Sequence, residues 1–273
     1  WEVQKNTVMN HFAPSGIKGL DLYCLDNGKW LYVNTGLPTA KASEKIFISN
    51  MDGTEREYML YTPLYDGLMN LEIGIEATAM ISDPAVNSPK KEKPVVFYGT
   101  SITQGGCASR AGMAYPSILS RKLDRQTINM GFSGNGRLDP EIAEAIAGID
   151  ASCIVIDCLP NCTLAIMKEK YIPFFEIIKK RNPDVPVLMV ENLHNTTMHF
   201  NKKTEANILE KNNLLKEIYK ELKGKGYKNI HYVHAEGLTG TDLEEAVDGV
   251  HLTDLGFMRI SENLYPVIRK IIR

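Results

Sequence analysis

A chain of 273 residues has room for one large or two modest domains, either able to bury a sizeable core. Its 31 Lys and Arg against 33 Asp and Glu leave a net charge of −2, which argues against nucleic acid as a default partner, because phosphate binding needs a clustered basic surface. No apolar run approaches the roughly 20 residues of a membrane span. The chain begins at Trp1 without an initiator methionine. A removed secretory signal or a trimmed chain explains that start, so a secreted or periplasmic location is expected, with the cytoplasm left open. The five cysteines are Cys24, Cys107, Cys153, Cys158 and Cys162. An odd count, with three of them in or beside one apolar run, does not resemble a disulfide framework. Cys158 and Cys162 lack two further ligands at metal-site spacing.

Residues up to about Ile81 read as β structure. Short runs rich in aromatic and branched residues fall at Trp30–Val33, Lys45–Ser49, Tyr58–Tyr61 and Leu71–Glu76, separated by turn signals such as Asp26-Asn27-Gly28 and Tyr65-Asp66-Gly67. This spacing predicts a small antiparallel β-sandwich over 1–83. Leu20-Asp21-Leu22-Tyr23 alternates apolar and polar groups as if Tyr23 faced a partner surface, so this domain is expected to pack on the next one and form one wall of a substrate cleft. The polar, proline-punctuated segment 84–93 reads as a linker.

From 94 to 273 strands alternate with helices. Strands are predicted at Val95–Tyr98, Thr127–Met130, Cys153–Cys158, Val187–Glu191 and Ile230–Val233. Helices are predicted at Tyr115–Leu123, Pro140–Ala147, Ile166–Lys180, Thr204–Leu222 and Asp254–Ile271. Near-continuous apolar strands with intervening helices indicate a parallel sheet covered on both faces. Five βα units make a flavodoxin-like three-layer α/β/α sandwich.

The chemistry concentrates at strand ends. Tyr98-Gly99-Thr100-Ser101-Ile102-Thr103-Gln104-Gly105 follows an apolar strand, and a glycine-flanked serine there presents its hydroxyl at the carboxyl edge of the sheet. Serine needs a base, and Asp248-Gly249-Val250-His251 supplies one before the last helix. A histidine can take the Ser101 proton and return it, and a carboxylate three residues back can reach its other ring nitrogen. Ser101 could otherwise cap a helix, and Asn161 could cap the helix that follows it. The pairs His194/His199 and His231/His234 lack a carboxylate at metalloprotease spacing, so they are read as surface or cleft groups.

These segments resemble the conserved blocks of the SGNH (GDSL-type) hydrolases. Gly99–Gly105 is similar to the first block and Asp248-Gly249-Val250-His251-Leu252 to the last. Asn129–Asn135 resembles the block whose glycine, here Gly134, gives a backbone N–H to the oxyanion. Asp157-Cys158-Leu159-Pro160-Asn161 resembles the block whose asparagine gives a side-chain N–H, although Pro160 stands where the family usually has another pattern. Lys18–Tyr23 resembles the Gly-x-Asp-Leu-Tyr signature of an N-terminal β domain found in one subgroup.

The resemblance implies a serine esterase with a Ser101–His251–Asp248 triad and an oxyanion hole made by the Ser101 and Gly134 N–H groups and the Asn161 amide. The expected substrate is a short acyl ester, of acetyl type, on a carbohydrate or other small molecule, with no cofactor and no metal. Glu191, Asn192 and Arg137 are candidate substrate contacts from their places after strands, and Arg110 could orient a polar group. Two rival readings are a lipase or thioesterase on longer acyl chains and an inactive carbohydrate-binding protein. The sequence sets no oligomeric state.

Overall fold

The computed structural model describes residues 1–272. In the N-terminal part, β1 (Glu2–Val3) is followed by the short helix α1 (Pro14–Lys18) and by β2 (Leu20–Asp26), β3 (Lys29–Gly36), β4 (Tyr58–Tyr61) and β5 (Leu68–Asn70). β2 is the centre of an antiparallel three-stranded sheet in the order β3-β2-β4, and β1 pairs with β5 in a second, two-stranded one. The runs Lys45–Ser49 and Leu71–Glu76 form no strand. Ile46, Ile73 and Ile75 are exposed, so neither run has a core for its apolar side to face.

The rest of the chain is β6 (Lys90–Gly99), α2 (Ser101–Gln104), α3 (Tyr115–Leu123), β7 (Arg125–Gly131), α4 (Pro140–Ala147), β8 (Cys153–Asp157), α5 (Leu164–Arg181), β9 (Val187–Val190), α6 (Lys202–Gly224), β10 (Ile230–Val233) and α7 (Asp254–Ile271). β6 begins at Lys90, inside the stretch read as linker, because Lys90 pairs with Arg125 across a register shift before the regular ladder starts at Val95. The five strands are parallel in the order β10-β9-β8-β6-β7. Counted from β6 this is 2-1-3-4-5, the flavodoxin-like order, whose switch point lies between β6 and β8.

Both sheet faces are buried, which is why the strands read as unbroken apolar runs. One face packs Val96, Ile154, Ile156, Val187 and Met189 against Phe174, Phe175 and Ile178 of α5 and Leu215 of α6. The other packs Phe97, Val155 and Leu188 against Tyr115 and Leu119 of α3 and Phe257, Ile260, Leu264 and Ile268 of α7.

The two parts meet through a buried ion pair. Asp21 of β2 is fully buried, and its Oδ2 accepts from Arg110 Nη1 at 2.9 Å and from the Gly112 N–H at 2.7 Å, while Oδ1 accepts from the Thr35 hydroxyl at 2.7 Å. Arg110 also donates to the Tyr23 hydroxyl at 2.6 Å and lies 3.9 Å over the Tyr32 ring. Arg121 of α3 lies over the Tyr23 ring, 4.3 Å from its centroid. Asp21 and Tyr23 therefore face the larger domain, and Arg110 is committed to that contact instead of to a substrate.

Candidate active site

Strand β6 ends in a turn that projects Ser101 at the carboxyl edge of the sheet, beside the switch point. Thr100 caps the short helix α2, its Oγ1 accepting from the Ile102 N–H at 3.2 Å. Ser101 thus opens the helix, and the capping role belongs to its neighbour. Tyr65, from the N-terminal part, donates to the Ser101 carbonyl at 3.3 Å and holds that turn from above. Beneath it lies Asp157, the last residue of β8, whose Oδ2 accepts from Tyr115 at 2.9 Å and Thr103 at 3.3 Å. Burial pushes the Asp157 carboxyl up to about 7, against the pull of those two hydroxyls.

The loop before α7 brings the other two residues to the serine. Ser101 Oγ is 2.8 Å from His251 Nε2, and His251 Nδ1 is 2.7 Å from Asp248 Oδ2. Asp248 Oδ1 accepts from the His251 N–H at 2.7 Å and the Val250 N–H at 3.0 Å, so the three-residue spacing folds into a turn that fixes the carboxylate against its own histidine. Burial alone would raise the Asp248 pKa, but the His251 backbone N–H, its ring and the Val250 N–H outweigh that and hold it at about 2. Asp248 is therefore a carboxylate at any working pH, and the contact fixes an Nδ1–H tautomer that leaves Nε2 free to accept from Ser101.

Gly134 and Asn161 arrive from the ends of the flanking strands. After β7 the chain turns through Phe132–Gly136, with Gly134 at φ +71° and exposed. After β8 a 3-10 turn spans Leu159–Asn161. Asn161 Oδ1 accepts from the Gly136 N–H at 3.2 Å, which orients the amide and leaves its Nδ2 as the outward donor. Helix α5 is capped instead by Thr163, whose hydroxyl accepts from the Ile166 N–H. Among the described residues, the Ser101 and Gly134 N–H groups and Asn161 Nδ2 have no acceptor.

Backbone contact between these loops is close. A Cβ on Gly136 would sit 2.4 Å from the Gly99 carbonyl oxygen, and one on Gly131 would sit 2.1 Å from the Gln104 nitrogen. Gln104 bridges further, donating to the Leu64 carbonyl at 2.9 Å and accepting from the Ser133 N–H at 2.9 Å.

The candidate substrate contacts fare differently. Both Glu191 oxygens are taken up inside the fold: Oε1 by Tyr232 at 2.7 Å and by His234 Nδ1 at 3.2 Å, Oε2 by the Ala235 N–H at 2.8 Å. Glu191 is buried and ties β9 to β10, so its carboxylate serves the fold. Arg137 is exposed after β7. Asn192 lines a cavity of about 210 Å³ with His194, Asn195, Asn207, Lys211, Glu245 and the residues flanking Ser101 and His251. Lys211 is buried yet finds one acceptor, the Leu159 carbonyl at 3.3 Å, and buried Glu245 Oε2 has none among the described residues. A second, more open cavity of about 500 Å³ adjoins Asn161, Asn207 and Lys211.

Neither His194/His199 nor His231/His234 gathers ligands. One group among the described residues brings metal-binding atoms together, His11, Cys107 and His251, all within 4.8 Å of one another. It is a poor fit for a resident ion, since His251 is engaged with Ser101 and Asp248, and burial pushes the Cys107 thiol up to about 12. His11, with Phe12 and Tyr65, is what the sequence reading passed over. It carries no motif and lies 240 residues from His251.

A 2-1-3-4-5 parallel sheet with a hydroxyl, an imidazole and a carboxylate in sequence at its carboxyl edge is the build of a serine acylhydrolase. The chain belongs to the GDSL-like lipase/acylhydrolase family, whose model matches residues 92–269, and residues 1–81 match the model for the N-terminus of SGNH-hydro-type esterases. It is similar to a GDSL-like lipase from Bacteroides ovatus, with 38% identity and a TM-score of 0.94 over 99% of this chain and 80% of that one. A salicylyl-acyltransferase from a tetracycline biosynthetic pathway shares the fold at 15% identity and TM-score 0.70, covering 96% of this chain and 75% of that one. A family two carbohydrate esterase from Clostridium thermocellum does so at 14% identity and TM-score 0.64, covering 94% and 87%. A search of curated protein sequences returns no match. The protein is an SGNH-type ester hydrolase, and no helix among the described residues is long and apolar enough to cross a membrane.

Proposed function

We propose that the protein removes short acyl groups, of acetyl type, from hydroxyls of a carbohydrate or similar polar alcohol. The observation that carries the chemistry is the continuous contact from Ser101 Oγ through His251 to Asp248, at 2.8 and 2.7 Å. Ser101 attacks the ester carbonyl while His251 Nε2 takes its proton, and Asp248 steadies the imidazolium. The Ser101 and Gly134 N–H groups and Asn161 Nδ2 receive the oxyanion. His251 then gives its proton to the departing alcohol, and water activated by the same ring cleaves the acyl-enzyme.

The cavity beside the site, whose lining mixes polar groups with Leu193, Ile208 and Leu252, supports a polar alcohol. A buried ammonium with one acceptor, a buried carboxylate oxygen with none, and the Asn192 and Asn207 amides suit a hydroxylated ligand that both donates and accepts. The same groups disfavour a long acyl chain, which would desolvate them without replacement bonds. The shared fold with carbohydrate esterases sets the architecture, and the substrate rests on the cavity.

A fluorophosphonate probe should label the protein at Ser101, and p-nitrophenyl acetate should be cleaved faster than the butyrate and longer esters. Absence of labelling would favour an inactive binding protein. Preference for octanoate would move the assignment to a lipase.

A further inference from the structure

We propose that His11, from the N-terminal part, is a positioning residue of the catalytic relay, acting on His251 through Asp248. The inference rests on the relay proposed above. Asp248 has two oxygens and four donors around them. Oδ1 is satisfied within its own loop, by the Val250 and His251 N–H groups. Oδ2 receives His251 Nδ1 at 2.7 Å and also faces His11 Nε2 at 3.2 Å. The shared oxygen is the one that steadies the base.

The His11 ring is held for this contact. Its Nδ1 is 3.0 Å from Asn10 Oδ1, and the Phe12 ring meets it edge-on at 4.6 Å between centroids. Its carbonyl accepts from the Cys107 thiol at 3.5 Å, which ties the segment to the loop after α2. Phe12 in turn packs edge-on against His251 at 5.3 Å and against Tyr65 at 5.1 Å. The N-terminal part therefore touches both ends of the relay, Ser101 through Tyr65 and Asp248 through His11.

With Nδ1 turned to the Asn10 oxygen, His11 donates to Oδ2 from Nε2 as the doubly protonated ring, and an N–H donated there has two effects. It removes one rotational freedom of the carboxylate, keeping it aimed at Nδ1. It also draws electron density from the oxygen, so Asp248 stabilises the imidazolium less and His251 returns its proton to the leaving alcohol more readily. A protonated His11, its ring centroid 5.9 Å from that of His251, acts in the same direction. The other titratable groups packed here are Cys107 and Tyr65, each pushed up to about 12 by burial and neutral in the working range.

The test compares His11→Ala, His11→Gln and His11→Leu in the full chain, with p-nitrophenyl acetate from pH 5 to 9. His11→Ala should lower kcat about tenfold with KM nearly unchanged, the scale seen when a group orienting a functional side chain is lost. It should also move the acid limb of kcat/KM upward by about half a pH unit, the worth of one hydrogen bond to the carboxylate. His11→Gln keeps an N–H donor and should restore most of both. His11→Leu keeps the packing on Phe12 without the donor, so it should behave as His11→Ala even where the smaller side chain costs stability. A raised KM with unchanged kcat and acid limb would reduce His11 to a wall of the cleft and overturn the proposal. Unchanged kinetics in all three would do the same. An inactive parent enzyme, or labelling that survives Ser101→Ala, would instead overturn the relay itself.

Discussion

Arg110→Met tests how firmly the two parts of the chain are joined. The substitution leaves the fully buried Asp21 carboxylate with the Gly112 N–H and Thr35 hydroxyl but no cation. Breaking a buried pair from one side costs about 3–5 kcal/mol, because the remaining charge stays desolvated. The Arg110 side chain is 20% exposed and two neutral donors remain, so the lower end, about 3 kcal/mol, applies. At about 2–4 °C per kcal/mol for a chain of this size, the melting transition should fall by about 6–12 °C in calorimetry. Asp21→Asn with Arg110→Met should lose less than Arg110→Met alone, since no orphan charge is left. If Arg110→Met melts within about 2 °C of the parent, the carboxylate is not desolvated as the packing implies and the reasoning fails.

Ser101→Ala and His251→Ala should each remove several orders of magnitude from kcat, and the double variant should be little worse, because nucleophile and base act as a unit; additive losses would contradict that. Asn161→Asp keeps the acceptor that holds the Gly136 N–H but replaces the outward donor by an oxygen. It should lose at least about 10²–10³ in kcat with its melting temperature preserved, whereas retained activity would remove Asn161 from the oxyanion site. Asp157→Asn probes the raised carboxyl under the nucleophile. Its folded pKa, about 7, lies above the unfolded one, so its stabilising contribution is complete below about pH 4 and is lost as pH rises through 7. The variant should gain on the parent across that window, by at most about 4 kcal/mol for a shift of this size. A difference that is flat with pH would show that Asp157 ionises freely.

The parallel sheet could be read in the chain because burial on both faces turns each strand into an unbroken apolar run, and α3, α4 and α7 kept the bounds that their periodicity predicted. The proposed triad was legible as a grouping because Asp248 and His251 are one turn apart and Ser101 sits on a strand-end glycine turn. The N-terminal strands were harder. Leu71–Glu76 has the alternation of a strand, yet alternation specifies a face and not a partner. Asp21 would be taken for a surface residue until Arg110, 89 positions away, is brought against it. Glu191 looked available to a substrate because nothing local announces that Tyr232 and His234 consume it. His11 has its meaning only in three dimensions.

The close approach of Gly136 to Gly99 and of Gly131 to Gln104 divides the site into halves with different tolerance to change. On the side of the proposed oxyanion donors, the turn after β6 and the segment that ends β7 touch backbone to backbone, so an added methyl group displaces main chain in both at once. On the other side, Asn192, His194 and Asn207 line the cavity without such backbone contacts to the nucleophile turn, whereas Lys211 is tied to the Leu159 carbonyl of the turn that carries Asn161. Attempts to widen or switch the accepted alcohol should therefore begin at those three positions and leave Lys211 in place.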